Sequence, residues 1–385
     1  MDQPRPFTVA IPEEDLADLR ERLSRTRWFD ELGGADWSYG VSGAYLRELC
    51  DYWQTSFDWR AQEAILNSFD QFIAVSDSQP IHFIHARSAE KDAIPILLVH
   101  GWPGSIFEFV KVIGPLVDPV AYGGEPQDAF HVVCPSIPGY GFSGPTVGPG
   151  WGPERIAQAF ADLMQVLGYE SYAAGGGDWG AIITTALARA DQGRRLLGLH
   201  LTMPLGAPPS DSQASEELSA ADRSGLADWA RHQAEGSVIH VQINNTRPHT
   251  LAYALNDSPA GLAAWLLDKF RSYSDCDGDI ERSFSKDELL AHLTTYWVTG
   301  TIASASRLYY ERVHDGSQAT PAPRIPVPTG CAIFPADVRR VPRPWAERLY
   351  NITRWVEMPA GGHFGSEEEP ELYVDEVRSF FRSLR

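Results

Sequence analysis

Gly176-Gly177-Asp178-Trp179-Gly180 lies between a short apolar run, Tyr172-Ala173-Ala174, and a helix-compatible stretch over residues 180–190. The pentapeptide follows the G-x-S-x-G pattern of a nucleophile elbow, with Asp at the place of Ser. Small residues two before and two after the central one let a tight turn pack, which lifts the central side chain above the sheet edge. The same five residues also describe a glycine-rich turn whose Asp caps a helix, so the surroundings must decide. Upstream, Ile94-Pro95-Ile96-Leu97-Leu98-Val99 and Phe130-His131-Val132-Val133-Cys134 read as buried strands, separated from Tyr172 by a helical stretch at 154–167. Downstream, residues 196–201 form a fourth apolar run. Strands and helices alternating at these lengths specify an α/β fold: a mostly parallel sheet covered by helices on both faces.

The remainder of the chain divides around that core. Residues 1–89 read as a mainly helical extension, with Leu16, Leu19 and Leu23 at helical spacing and aromatics at Trp28, Trp37, Tyr39, Tyr45, Trp53, Phe57 and Trp59 placed to pack against a neighbouring unit. The core occupies 90–205. Alternation then stops, and 206–315 reads as a helical lid with helices at 226–234, 260–270 and 287–307. After a proline-rich linker at 321–328 the core resumes and fills 316–385, with a strand at Gly330-Cys331-Ala332-Ile333-Phe334 and a last helix at 369–384.

If Asp178 is the attacking group, the chemistry follows from its charge: a carboxylate attacking a saturated carbon forms an alkyl ester, which must then be hydrolysed at the Asp carbonyl. Hydrolysis needs an activated water and donors for an oxyanion. The donors are expected from His100-Gly101-Trp102-Pro103-Gly104-Ser105, directly after the first strong strand, with the backbone N–H groups of Trp102 and Trp179 as candidates. His100 itself reads as a group bracing the loop, and Pro103 as a turn proline compatible with either isomer of its peptide bond. The general base is expected at His363 in Gly361-Gly362-His363-Phe364, because nucleophile, acid and histidine occur in the chain order of such elbow folds. Asp337, just past a strand end and 26 residues before His363, is the carboxylate best placed to orient the imidazole. A position after the strand at 196–201 offers no carboxylate until Asp211.

Composition removes other classes. Hydrophobic residues at 43% and charged residues at 22% are ordinary globular values. A net charge of −19 repels phosphate backbones and anionic lipid, so no nucleic-acid partner is expected. Cys50, Cys134, Cys276 and Cys331 lack metal-ligand spacing, and no metal or cofactor is implied. The N-terminus has no signal-peptide pattern and no apolar run reaches a membrane span, so the expectation is a cytoplasmic protein without membrane attachment.

With these residues assembled, the chain resembles the epoxide hydrolases of the microsomal type, which join an α/β-hydrolase core and helical lid to an N-terminal extension. The resemblance runs through Pro6-Phe7 to Arg27-Trp28, the 100–105 loop, Pro135-Ser136-Ile137-Pro138-Gly139-Tyr140-Gly141-Phe142-Ser143, the elbow, Leu255-Asn256-Asp257-Ser258-Pro259, Phe334-Pro335 and residues 361–364. It implies a cofactor-independent hydrolase that converts a small-molecule epoxide to a vicinal diol, and a homodimer. It also implies that Tyr309, in Ser306-Arg307-Leu308-Tyr309-Tyr310-Glu311, protonates the epoxide oxygen. Adjacent helical residues point about 100° apart, so Tyr310 should face elsewhere. The chain departs from the family at Val238, where a tyrosine is usual, and with Pro103 this residue is expected against the substrate. The departure resembles bacterial epoxide hydrolases of enediyne antibiotic pathways, which open aryl or vinyl epoxides. Two other readings share these residues: a haloalkane dehalogenase, with an indole holding the halide, and a catalytically silent binding protein of the same fold.

Overall fold

The computed structural model describes residues 1–34, 36–208, 218–315 and 323–385. Asp211 and the start of the linker at 321–328 lie outside them. Among the described residues nine strands form one sheet: β1 (Arg5–Phe7), β2 (Gln71–Ser76), β3 (Gln79–Ala86), β4 (Ile94–Val99), β5 (Phe130–Pro135), β6 (Tyr172–Gly176), β7 (Leu196–Leu201), β8 (Pro328–Ile333) and β9 (Asn351–Glu357), in the order β1-β2-β3-β5-β4-β6-β7-β8-β9. From β5 through β4 to β9 the pairing is parallel, whereas β1, β2 and β3 are antiparallel. Alternate residues of β4 serve opposite layers. Leu97 and Val99 pack with the helices Pro153–Val166 and Asp178–Asp191, while Ile96 and Leu98 pack with Val110–Val117 and Pro370–Arg382. That alternation places the core on both sides of the sheet and leaves the carboxyl ends of the parallel strands free for loops.

The structure departs from the sequence reading at three places. The extension is not mainly helical throughout. Its helices (Glu13–Ser24, Gly43–Thr55, Trp59–Asn67) are followed by the β2–β3 hairpin, so this segment extends the core sheet. The hairpin turns on Asp77 and Ser78, with φ of 48° and 66° and no glycine, which is why it carries little sequence signal. The lid run at 287–307 is two helices, Lys286–Thr299 and Ile302–His314, separated by Gly300 in the left-handed region at φ 61°. Two short lid helices, Ile239–Thr246 and Pro248–Leu255, were not expected; Pro248 begins the second.

The aromatics of the extension divide as well. Trp53 and Trp59 are buried, whereas Tyr39 is 81% exposed. The Trp53 indole N–H donates to Thr294 Oγ1 at 2.9 Å, joining the extension to the lid helix Lys286–Thr299. Replacing Trp53 by Ala removes a buried aromatic and that hydrogen bond, and should lower unfolding free energy by about 3–5 kcal/mol in urea titrations. A change below about 1 kcal/mol would show that the extension is docked by other contacts.

Candidate active site

The elbow exists because backbone approaches backbone where no side chain intervenes. A Cβ on Gly180 would lie 1.8 Å from the Val99 carbonyl oxygen, and one on Gly176 would lie 2.5 Å from the same atom. Between them Asp178 adopts φ 45° at the start of helix Asp178–Asp191. Gly101 completes the fit, since a Cβ there would meet Asp178 Cβ at 2.6 Å. Strand β4 thus delivers the 100–105 loop directly onto the aspartate. The Trp102 N–H donates to Asp178 Oδ1 at 2.8 Å, and the Trp179 N–H also hydrogen-bonds the carboxylate. The Trp102–Pro103 bond is cis. His100 braces the loop as expected: its Nε2 accepts from the Ile137 N–H at 3.2 Å.

Loops after β8 and β9 bring in the other two groups. His363 Nδ1 pairs with Asp337 Oδ1 at 2.8 Å, and its Nε2 lies 3.9 Å from Asp178 Oδ2. Burial disfavours a charged ring, but Asp337, through charge and hydrogen bond, and Asp178 outweigh it and raise His363 to about 9. Asp178 is itself shifted upward by burial, opposed by His363 and the two amides. The His363 ring is therefore protonated at neutral pH, next to Asp178.

Above these groups lies a cavity of about 310 Å³, lined by indoles, Tyr309, Val238 and His240 among others. Tyr309 is 5% exposed and stands nearly perpendicular to the Trp179 ring at 4.6 Å. Tyr310, at 38% exposure, turns outward onto His314. Val238 lines the cavity. Pro103, expected against the substrate, is buried and is not among the lining residues.

Three features escaped the sequence reading. Tyr273 lines the cavity; its hydroxyl donates to the Ser237 carbonyl at 2.8 Å, next to Val238. The guanidinium groups of Arg312 and Arg339 reach the cavity as well. Glu108 faces a second cavity of about 10 Å³, shared with Gly101, Asp178 and His363 and large enough for one water. Burial raises the Glu108 carboxyl to about 7, with Glu367 adding to the rise and His292 opposing it. An acid within the apolar run Ile106-Phe107-Glu108-Phe109 was a usable signal for that site.

The fold and these groups define an α/β-hydrolase with a carboxylate, rather than a hydroxyl, at its elbow. Comparison with known proteins narrows the class. Residues 4–109 match the model described as epoxide hydrolase N terminus, and 94–238 match alpha/beta hydrolase fold. The chain is 45% identical over 381 residues to a Stigmatella aurantiaca protein named "Putative epoxide hydrolase", covering 99% of this chain and 85% of that one. It is 36% identical to epoxide hydrolase 1 of Sus scrofa over 409 residues, covering 99% and 89%. The solved Aspergillus niger epoxide hydrolase superimposes with a TM-score of 0.88 at 30% identity, covering 100% of this chain and 97% of that one. The chain belongs to the microsomal-type epoxide hydrolase family and is an epoxide hydrolase.

Unfolded, an imidazole titrates near 6.5. His363 therefore binds its proton more tightly in the folded state, a stabilisation complete below about pH 6.5 and lost as pH rises through about 9. Asp337→Asn should bring the His363 titration down from about 9 toward 6.5 when followed by ¹⁵N-detected imidazole NMR. A titration still near 9 would remove Asp337 as the cause.

Proposed function

We propose that Asp178 Oδ2 attacks an epoxide carbon, breaking the carbon–oxygen bond as Tyr309 gives its proton to the departing oxygen. The product of this step is a glycol ester of Asp178. The arrangement that carries this reading is the carboxylate itself: Oδ1 is held by the Trp102 amide at 2.8 Å, leaving Oδ2 on the His363 side. Esterification cancels the Asp178 charge. One of the influences that keep His363 protonated then disappears, and the ring passes its proton through solvent to the Tyr309 phenolate left by the first step, which restores the tyrosine and leaves His363 neutral when a base is required. His363 takes a proton from water held between it and Glu108, and the hydroxide adds to Asp178 Cγ. The Trp102 and Trp179 amides stabilise the oxyanion, each such donor contributing about 2.7–4 kcal/mol to the transition state. Collapse releases the diol as the proton on His363 passes to the leaving oxygen, and the regenerated Asp178 carboxyl gives its proton back to His363.

Two aspects of the lid extend the proposal. Val238 leaves Tyr309 without a tyrosine neighbour at that position, and Tyr273 supplies a second buried hydroxyl on the same cavity. The Ser237 carbonyl that Tyr273 bonds is also bonded by Lys269 Nζ at 2.6 Å, so it keeps a donor when Tyr273 turns toward the epoxide oxygen. The walls formed by Trp102, Trp179, Trp229 and Tyr309 suit a flat substituent, which supports an aryl or vinyl epoxide as substrate.

His363→Gln should form the ester and fail to hydrolyse it, so intact-protein mass spectrometry with styrene oxide should show an adduct of the full epoxide mass on the Asp178 peptide. Multiple turnover without an adduct would exclude the assignment. Tyr309→Phe should slow ester formation by about 10²-fold or more in single-turnover measurements while leaving its hydrolysis much less affected. Equal slowing of both halves would assign Tyr309 to cavity packing.

A further inference from the structure

Asp178 and His363 line both the lid cavity of about 310 Å³ and the cavity of about 10 Å³ that also meets Glu108. An ester carbonyl is attacked from one of its two faces, and a glycol held in the lid cavity crowds the face on its own side. The small cavity gives water the other approach. Tyr373 also lines it. This residue comes from the last helix, Pro370–Arg382, which packs on the face of the sheet opposite to helix Asp178–Asp191. Tyr373 is 2% exposed, and its hydroxyl is buried with no hydrogen-bond partner among the described residues. The ring of His200, perpendicular to it at 5.8 Å, does not accept the phenolic proton either. A buried hydroxyl left unpaired is costly, so this one marks a place for a hydrogen-bonding guest. Burial raises the Tyr373 pKa, with Cys134 and then the charge of Glu108 adding to the rise, so the phenol keeps its proton and senses the Glu108 carboxylate.

One water in this cavity has a use for each of its four tetrahedral directions. One O–H is directed at His363, which takes that proton, and the other at Glu108, whose carboxyl offers an acceptor oxygen whether ionised or not. One lone pair accepts from the Tyr373 hydroxyl. The remaining lone pair is left for Asp178 Cγ. Held by His363 and Glu108 alone, the water is free to turn about the line joining them and carry that lone pair off the carbon; a third contact stops the rotation. When the O–H bond toward His363 breaks, the proton goes to its Nε2, the water oxygen bonds Cγ, and the displaced carbonyl pair becomes the oxyanion at the Trp102 and Trp179 amides.

We propose that Tyr373 holds the water that hydrolyses the Asp178 ester, donating to its oxygen from the side of the sheet away from the lid cavity and fixing the lone pair that attacks Cγ. The inference rests on the reading of Asp178 as the group that opens the epoxide. It assigns Tyr373 to the second half-reaction alone.

Tyr373→Phe removes the hydroxyl and keeps the packed ring. In single-turnover measurements with styrene oxide, ester hydrolysis by this variant should slow by about tenfold, the effect of one hydrogen bond to a reacting group, while ester formation keeps its rate. Intact-protein mass spectrometry should then show the glycol ester building up during turnover although His363 is present. Glu108→Gln should slow the same step, and adding Tyr373→Phe to it should cost less than Tyr373→Phe costs alone, because both residues act on one water. Losses that simply multiply would give the two residues separate targets and overturn the inference. Hydrolysis at an unaltered rate would overturn it as well, as would equal slowing of both half-reactions, the result expected of a change in packing; each leaves the assignment of Asp178 untouched. If His363→Gln acquires no adduct from styrene oxide, the assignment of Asp178 falls and takes the inference with it.

Discussion

The site depends on how closely β4 and the start of helix Asp178–Asp191 can approach. With Gly180 Cα against the Val99 carbonyl, a single added carbon would have to sit 1.8 Å from that oxygen. The contact determines where Asp178 sits, because its left-handed backbone at φ 45° is tolerable for an aspartate only when packing on both sides fixes it. It also sets the distance between the aspartate and the 100–105 loop. One steric constraint therefore aligns the Asp178 carboxylate and the amide donors before any ligand arrives, which is the preorganisation that makes such donors effective.

Electrostatics complete what sterics begin. An imidazole buried against Phe364 and Tyr273 would ordinarily lose its proton. Asp337 reverses that preference, and Asp178 adds to the reversal. In the proposed reaction, the same charges that make His363 a poor base in the resting enzyme make it responsive to esterification, since the charge of Asp178 is consumed in the first step. A base with an ordinary pKa in a neutral pocket would lack this timing.

Much of this was legible in the sequence because the signals were local. The runs that became β4, β5, β6 and β7 are apolar, short and bounded by turns, and the elbow announces itself by its glycines. His363 and Asp337 follow from chain order. What escaped depends on contacts across the fold. The β2–β3 hairpin turns on Asp77 and Ser78, which have no glycine to mark them, and its strands matter only because β3 finds β5. Glu108 could be read as one acid on an apolar helix, but its relation to His363 arises between positions 255 residues apart in the chain. Pro103 was expected against the substrate, but it does not line the cavity.

The lid illustrates the same limit from the other side. Val238 marks a missing hydroxyl by its position in a motif, whereas Tyr273 enters the cavity from a helix, Pro259–Tyr273, whose sequence gives no reason to look there. Arg312 lies three residues beyond Tyr309, and Arg339 two beyond Asp337, so each is carried to the cavity by an element that already holds a residue of the site. Because helix Ile302–His314 fixes Tyr309 against Trp179, it brings Arg312 over the same indole. The loop that pins Asp337 to His363 likewise sets Arg339 over Trp229. Any shift of the lid helix Ile302–His314 would therefore move Tyr309 and Arg312 together.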